Sequence, residues 1–366
     1  MNAAVVLGLH GSLQRILDKA GGNAAQVSEL LMLRKYSERF GRVFVLSHDS
    51  RSFSELLPGN CTQIRLRNRP VFVASAWIVL LFLSWRKGVS VIRLVGPSAL
   101  PAVFITGWLV RARIVIMYYY LWFNTASGLK RALLRALERT LLTPVDYVIA
   151  ANREVARFCK GRKMLDAGEG IITGAFDPAR VRADASVRKL GGTRLIFVGR
   201  LAKVKDPLTL IRGFNIARRS MPSLRLVVCG DGELMEECRR LAGGGVVFKG
   251  FAGNVPSLLK ASDIYVITSA YDASPRSLME AMCMGLPCIA TAVGGVPEYL
   301  PADCGILVKP GDAEALATAI AGMASDRKRM RTMGKRARRH VLEHHDLSKN
   351  LGIELDFMAG KAGRAA

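Results

Sequence analysis

Acidic residues are in short supply: 29 Asp and Glu stand against 53 Lys and Arg, giving a formal net charge of +24. A field of that sign turns cationic partners away and attracts anionic ones: nucleic acid, an anionic membrane surface or phosphorylated substrates. Cysteine pairs are missing too. None of the seven cysteines forms a CxxC pair, and several sit inside apolar runs. That pattern argues for reduced, buried thiols in a reducing compartment over metal ligands or disulfides. A secretory leader is not evident, because the apolar run 3–9 is short, follows no basic residue and precedes no small-residue cleavage site. It reads instead as a first β-strand. The apolar segment Val71–Trp85 falls short of a membrane span. As a helix it reaches roughly 22 Å, against about 30 Å of hydrocarbon. Finally, the chain has no aromatic-basic RNA motif, zinc knuckle or recognition-helix signature, which argues against nucleic acid as a partner despite the charge.

What is present is ample apolar material. The chain has 366 residues, half of them hydrophobic, enough for two cores rather than one. Short apolar strands alternate with helices: 3–9, 42–47, 89–95, 113–118 and 146–150, then 194–198, 224–229, 246–249, 264–268 and 287–291. This alternation predicts an α/β protein with parallel sheets covered on both faces. The polar segment 176–192, with Pro178 and Gly191-Gly192, is expected to be a linker. The expected organisation is an N-terminal Rossmann-like domain 1–175, a C-terminal one 193–345 and a tail 346–366. The two domains would face each other across a cleft. The charge is uneven, with 28 Lys/Arg against 12 Asp/Glu in residues 1–190. Helix 71–85 is flanked by Arg65, Arg67, Arg69, Arg86 and Lys87. With the apolar stretch 99–110 it suggests a surface that dips into a bilayer.

Three motifs follow in order, each at the carboxyl end of a predicted strand, where open α/β sheets bind ligands. In Val198-Gly199-Arg200-Leu201-Ala202-Lys203-Val204-Lys205-Asp206, the glycine lets the backbone turn. Arg200 and Lys205 then stand beside a helix N-terminus capped by Asp206, with Pro207 at its first position. Fixed cations and free N–H groups converging there suit a diphosphate, although a solvated basic loop reads similarly. In Tyr271-Asp272-Ala273-Ser274-Pro275-Arg276-Ser277-Leu278-Met279-Glu280, two carboxylates lie eight residues apart, suited to the hydroxyls of a sugar and of a ribose. Gly294-Gly295 ends the series, with glycines that permit close backbone approach to a ligand.

Together these stretches resemble the donor domain of the retaining GT-B glycosyltransferases of family 4, the glycosyl transferases group 1. The likeness is carried by VGRLAKVK (198–205), VCGDGE (228–233), DASPRSLMEAMCMG (272–285) and GGVPE (294–298), and it covers about residues 194–325. The resemblance implies a hexosyl transfer with retention, from a nucleoside diphosphate sugar (UDP or GDP) to an acceptor hydroxyl. The implied catalytic residues are Arg200, Lys205 and Asp272. Donor contacts would come from Gly22, Gly199, Arg200, Lys205, Asp272, Pro275, Glu280, Gly294 and Gly295. Arg200 and Lys205 would hold the diphosphate, Glu280 the ribose, and Asp272 would stand where the family has Glu, near the transferred sugar. Gly22 lies in Ala20-Gly21-Gly22-Asn23, which resembles the family's N-terminal glycine loop. No Asp-x-Asp pair is present, so no metal and no further cofactor is expected. The stretch Met117–Trp122 contains no His where the family often has one. The expected acceptor is a lipid-linked or cell-surface saccharide precursor, used by a cytoplasmic protein held peripherally on the anionic inner face of the membrane. Three other readings stay open here: an inactive GT-B scaffold, a sugar-nucleotide epimerase on the same fold, and a basic nucleic-acid-binding protein.

Overall fold

The computed structural model describes residues 3–7, 28–47, 52–66, 69–96, 100–165 and 169–358. The chain forms two compact units, Met1–Glu169 together with Leu347–Ala366, and Gly170–Asp346.

Among the described residues, the first unit has seven parallel strands: β1 (Ala3–Leu7), β2 (Val43–Ser47), β3 (Cys61–Arg65), β4 (Val89–Val95), β5 (Arg113–Tyr118), β6 (Tyr147–Ala150) and β7 (Lys163–Met164). Their order is β3-β2-β1-β4-β5-β6-β7. Side chains alternate across the sheet, so two separate clusters form. On one face Ile92, Leu94, Ile114 and Ile116 pack with Ala76, Leu80 and Leu83 of the helix Arg69–Lys87. On the other, Val91, Val115 and Ile149 pack with Leu33 and Tyr36 of the helix Ser28–Arg39. Burial on both faces explains why β2, β4 and β5 read as continuous apolar runs. The edge strands β3 and β7 have mixed, partly exposed sequences and escape the apolar pattern.

The second unit has six parallel strands among the described residues: β8 (Arg194–Val198), β9 (Arg225–Cys229), β10 (Val246–Gly250), β11 (Ile264–Ile267), β12 (Cys288–Thr291) and β13 (Gly305–Val308). The order β10-β9-β8-β11-β12-β13 places a topological switch between β8 and β11. The helix Pro207–Ser220 packs on the helix Ala313–Ala324 across Gly213, where a Cβ would come within 2.8 Å of Leu316.

Two expected boundaries differ. The segment 176–192 belongs to the second unit rather than lying between units. Phe176 is buried, and Asp184 accepts a hydrogen bond from the Val187 N–H (3.0 Å), starting a short helix that buries Val187. Its polar residues are caps and surface, which composition does not distinguish from a linker. The expected tail is a helix, Leu347–Met358, returning to the first unit through Leu351, Leu355 and Met358. Its Glu354 accepts hydrogen bonds from Tyr36 Oη (2.5 Å) and Arg93 Nη2 (3.1 Å), and Arg93 Nε donates to it as well. All three side chains are buried. The N-terminal glycine loop at Gly22 lies outside the described residues. Of the seven cysteines, all free thiols, six are buried and Cys61 is partly so.

Candidate functional site

The switch between β8 and β11 opens the loops at their carboxyl ends, and the sequence motifs fall there. After β8, the Gly199 N–H donates to Cys229 O (3.0 Å) and the Leu201 N–H to Asp231 O (2.9 Å). This binds the loop to the Gly230-Asp231-Gly232 turn after β9. Gly230 and Gly232 have φ of +140° and +158°, and Cβ atoms there would lie 1.8 Å from Gly199 O and 2.5 Å from Leu201 O. Only glycine lets the two loops close on each other. The closed pair presents Arg200 to solvent, with no side-chain hydrogen bond or ion pair among the described residues.

A 3-10 turn, Lys203–Lys205, follows. Asp206 sits in the left-handed region at φ +42° and caps the helix Pro207–Ser220 by accepting from the Thr209 N–H (3.2 Å). The turn is tied to the end of β11: Thr268 Oγ1 donates to Asp206 O (2.8 Å) and the Ala270 N–H to Val204 O (2.9 Å). These bonds hold Lys205 so that its Nζ donates to Asp272 Oδ2 at 2.5 Å. Asp272 is buried, and Ser269 Oγ stands 3.4 Å from the same oxygen. From the far side, the Gly295 N–H donates to Asp272 O (2.9 Å). Gly294, at φ +52°, would place a Cβ 2.3 Å from that carbonyl. The close approach that Gly294 permits is therefore to the Asp272 backbone.

The helix Arg276–Cys283 begins after the buried Pro275 and faces the core with Leu278, Met279, Ala281 and Met282. Glu280 points off that face. Its carboxylate makes no side-chain hydrogen bond among the described residues, and burial pushes its pKa up to about 7, with Arg276 pulling it back. A carboxylate with no side-chain hydrogen bond among the described residues is poised to accept hydrogen bonds from hydroxyls.

The structure thus brings Lys205, Asp272, Gly294 and Gly295 into contact. Gly199 and Arg200 stand on the same loop as Lys205, and Pro275 and Glu280 on the segment after Asp272. Thr268, Ser269 and Thr291 were not foreseen. Thr291 Oγ1 donates to Ser269 O (2.6 Å), bracing the loop that carries Asp272. The hint was a run of small hydroxyl residues at strand ends. Among the described residues no group of three or more His, Cys, Asp or Glu is placed to hold a metal ion.

Residues 183–340 match the family described as glycosyl transferases group 1. The second unit is a glycosyl transferases group 1 domain. Among curated relatives, the chain is 28% identical over 195 residues to the UDP-Gal:alpha-D-GlcNAc-diphosphoundecaprenol alpha-1,3-galactosyltransferase of Escherichia coli, covering 50% of each. It is 32% identical over 155 residues to the N-acetyl-alpha-D-glucosaminyl L-malate synthase of Bacillus anthracis, covering 41% of this chain and 40% of that protein. The chain spans about half or less of the length of these relatives. Among solved structures, a glycosyltransferase from Rickettsia africae superposes with a TM-score of 0.77 at 15% identity, covering 98% of both chains. Anabaena HepE in complex with UDP and glucose superposes with a TM-score of 0.75 at 18% identity, covering 98% of this chain and 100% of that one. Outside the group 1 domain the likeness is of fold alone: two α/β units with parallel sheets, the GT-B architecture.

Proposed function

We propose that this group 1 protein transfers a hexosyl group, with retention, from a nucleoside diphosphate sugar to an acceptor hydroxyl. The observation that carries the reading is the Lys205–Asp272 pair, with the carboxylate buried, at the β8/β11 switch, on the same loop as the exposed Arg200, which makes no ion pair among the described residues. A diphosphate leaving group gathers negative charge as its bond to the anomeric carbon breaks. Arg200 and Lys205 are fixed cations at that point, and preorganised charge is worth most where charge develops. Asp272, held from three sides, is at the right edge to meet the transferred sugar. The acceptor oxygen bonds to the anomeric carbon as the carbon–phosphate-oxygen bond breaks, and the acceptor proton passes to the departing diphosphate. In this reading the chain's own cations take up that charge and no metal takes part. Glu280, when ionised, accepts hydrogen bonds from both vicinal hydroxyls of the nucleotide ribose.

The donor is a UDP or GDP sugar. The relative from Escherichia coli is named for a UDP-Gal donor, and the Anabaena structure holds UDP. The acceptor in this reading is a lipid-linked saccharide precursor, met by a peripheral protein at the cytoplasmic face of an anionic membrane. Two features support it: the basic excess in residues 1–190, and a relative named for a diphosphoundecaprenol acceptor. No helix among the described residues is long and apolar enough to cross a membrane.

The test is a thermal-shift and calorimetric titration with UDP, GDP, ADP and their common sugar conjugates. Stabilisation by one nucleotide, lost in Arg200→Ala, is expected. A folded protein that responds to none of them sinks the reading.

A further inference from the structure

Of the fourteen large hydrophobic side chains exposed among the described residues, nine lie on one stretch of the first unit. The helix Arg69–Lys87 packs on the helix Leu100–Thr106, which packs on the helix Gly128–Leu141. Each contributes three. Ile78, Phe82 and Trp85 project from the first, Trp85 at 88% exposure. Ile105, Trp108 and Leu109 project from the second helix and the turn after it, Trp108 and Leu109 at 69% each. Leu129, Leu133 and Leu137, spaced by four, form a ridge on the third at 77%, 62% and 47%. Nine large apolar side chains exposed on three successively packed helices mark an interaction surface.

The third helix is the informative one, because it carries arginines and leucines on different sides. Its inner side holds Glu138, which accepts from Tyr118 Oη (2.6 Å) and the Phe123 N–H (3.2 Å). Its Arg131, Arg135 and Arg139 lie along one flank, each guanidinium 5.6–5.7 Å from the ring centre of Phe123 or Phe158. The leucine ridge is left facing solvent, with Lys130 exposed beside it. Arg86 and Lys87 end the first helix, and Arg111 follows the second, all exposed. Apolar side chains rimmed by cations are what an interfacial helix presents to lipid.

We propose that this three-helix face docks on an anionic bilayer, with the Leu129–Leu133–Leu137 ridge inserting among the acyl chains and the surrounding Lys and Arg meeting lipid headgroups. The occupant follows from charge. A second copy of the chain on the same face would bring the same cations together, whereas an anionic lipid surface neutralises them while covering the leucines. The proposal deepens the lipid-linked-acceptor reading, for it says which surface meets the membrane that holds such an acceptor.

The experiment is flotation of the full chain with vesicles of phosphatidylcholine alone and with 30 mol% phosphatidylglycerol. Binding to the anionic vesicles only, weakened at least tenfold by 0.5 M salt, is expected. The triple variant Leu129→Gln, Leu133→Gln, Leu137→Gln should bind at least tenfold more weakly at low salt. These side chains are exposed, so its Tm and its nucleotide binding should match the parent. Binding that ignores phosphatidylglycerol, or that survives the triple substitution, overturns the proposal. So does light scattering that shows a dimer dissociated by the triple variant, which would make the face a contact between copies. Nucleotide stabilisation without vesicle binding would overturn the docking face while leaving glycosyl transfer standing.

Discussion

Arg200 and Lys205 are both cations on one loop, yet their surroundings differ. Arg200 is exposed and makes no ion pair among the described residues, while Lys205 is already neutralised by Asp272. Arg200→Ala should leave the fold intact and lower kcat by about 100-fold or more, the usual cost of removing one preorganised charge-stabilising donor. Steady-state assay of a folded variant decides this. Lys205→Ala should cost stability as well, since it leaves the Asp272 carboxylate buried without its cation. Glu280 gives a pH prediction. Its pKa rises from 4.5 to about 7 on folding, so the folded state holds its proton more tightly than the unfolded one. Its contribution to stability is therefore fully present below pH 4.5 and is lost as pH climbs through 7. Glu280→Gln should match the parent near pH 4 and exceed it at pH 8 by about 1–3 kcal/mol in chemical denaturation. Donor affinity should move the opposite way. It should tighten from pH 6 to pH 8 in the parent, as the carboxylate ionises to accept the ribose hydroxyls, and stay flat in the variant.

At the scale of elements, the start of the helix Pro207–Ser220 couples stability to the site. Asp206 is the one described non-glycine residue with positive φ, and it also caps the helix. Asp206→Ala should destabilise the second unit by about 1–2 kcal/mol, through loss of the cap, while Asp206→Asn keeps the cap and tolerates the left-handed backbone. Equal unfolding midpoints for the two variants would contradict this account. The same element shows what a sequence reveals. Asp-Pro before an apolar-periodic run is a local signal, and the helix begins where that signal says. The elements that escaped, β3, β7 and β13, are short and sit toward the sheet edges, where one-sided burial weakens the apolar pattern. The glycines of Gly230-Asp231-Gly232 were recognisable as a motif, but their purpose, closing one loop on another, needs the partner loop at Gly199–Leu201.

Across the whole molecule, the C-terminal helix has the largest consequence. Glu354→Gln strands the buried Arg93 without a countercharge and should cost about 3–5 kcal/mol, the scale for breaking a buried ion pair. Hydrogen exchange should show the loss in the first unit, at Tyr36 and β4, with the second unit's core protected as before. Uniform loss across both units would refute that localisation.

The sequence alone determined the class of fold and where along the chain the candidate site residues fall. Buried parallel strands must be apolar on both faces, and glycines, caps and charged side chains at strand ends are dictated locally. It placed Arg200, Lys205, Asp272 and the Gly294-Gly295 pair in the loops after strands, and Glu280 on the helix that follows Asp272. Only the tertiary structure decided which of these meet. Lys205 and Asp272 are 67 residues apart and touch because β8 and β11 are neighbours across the switch. Arg93 and Glu354 are 261 residues apart, and nothing near either one announces the other. Local propensity reports what each residue can do. Strand order, fixed by the burial of whole layers at once, selects its partner.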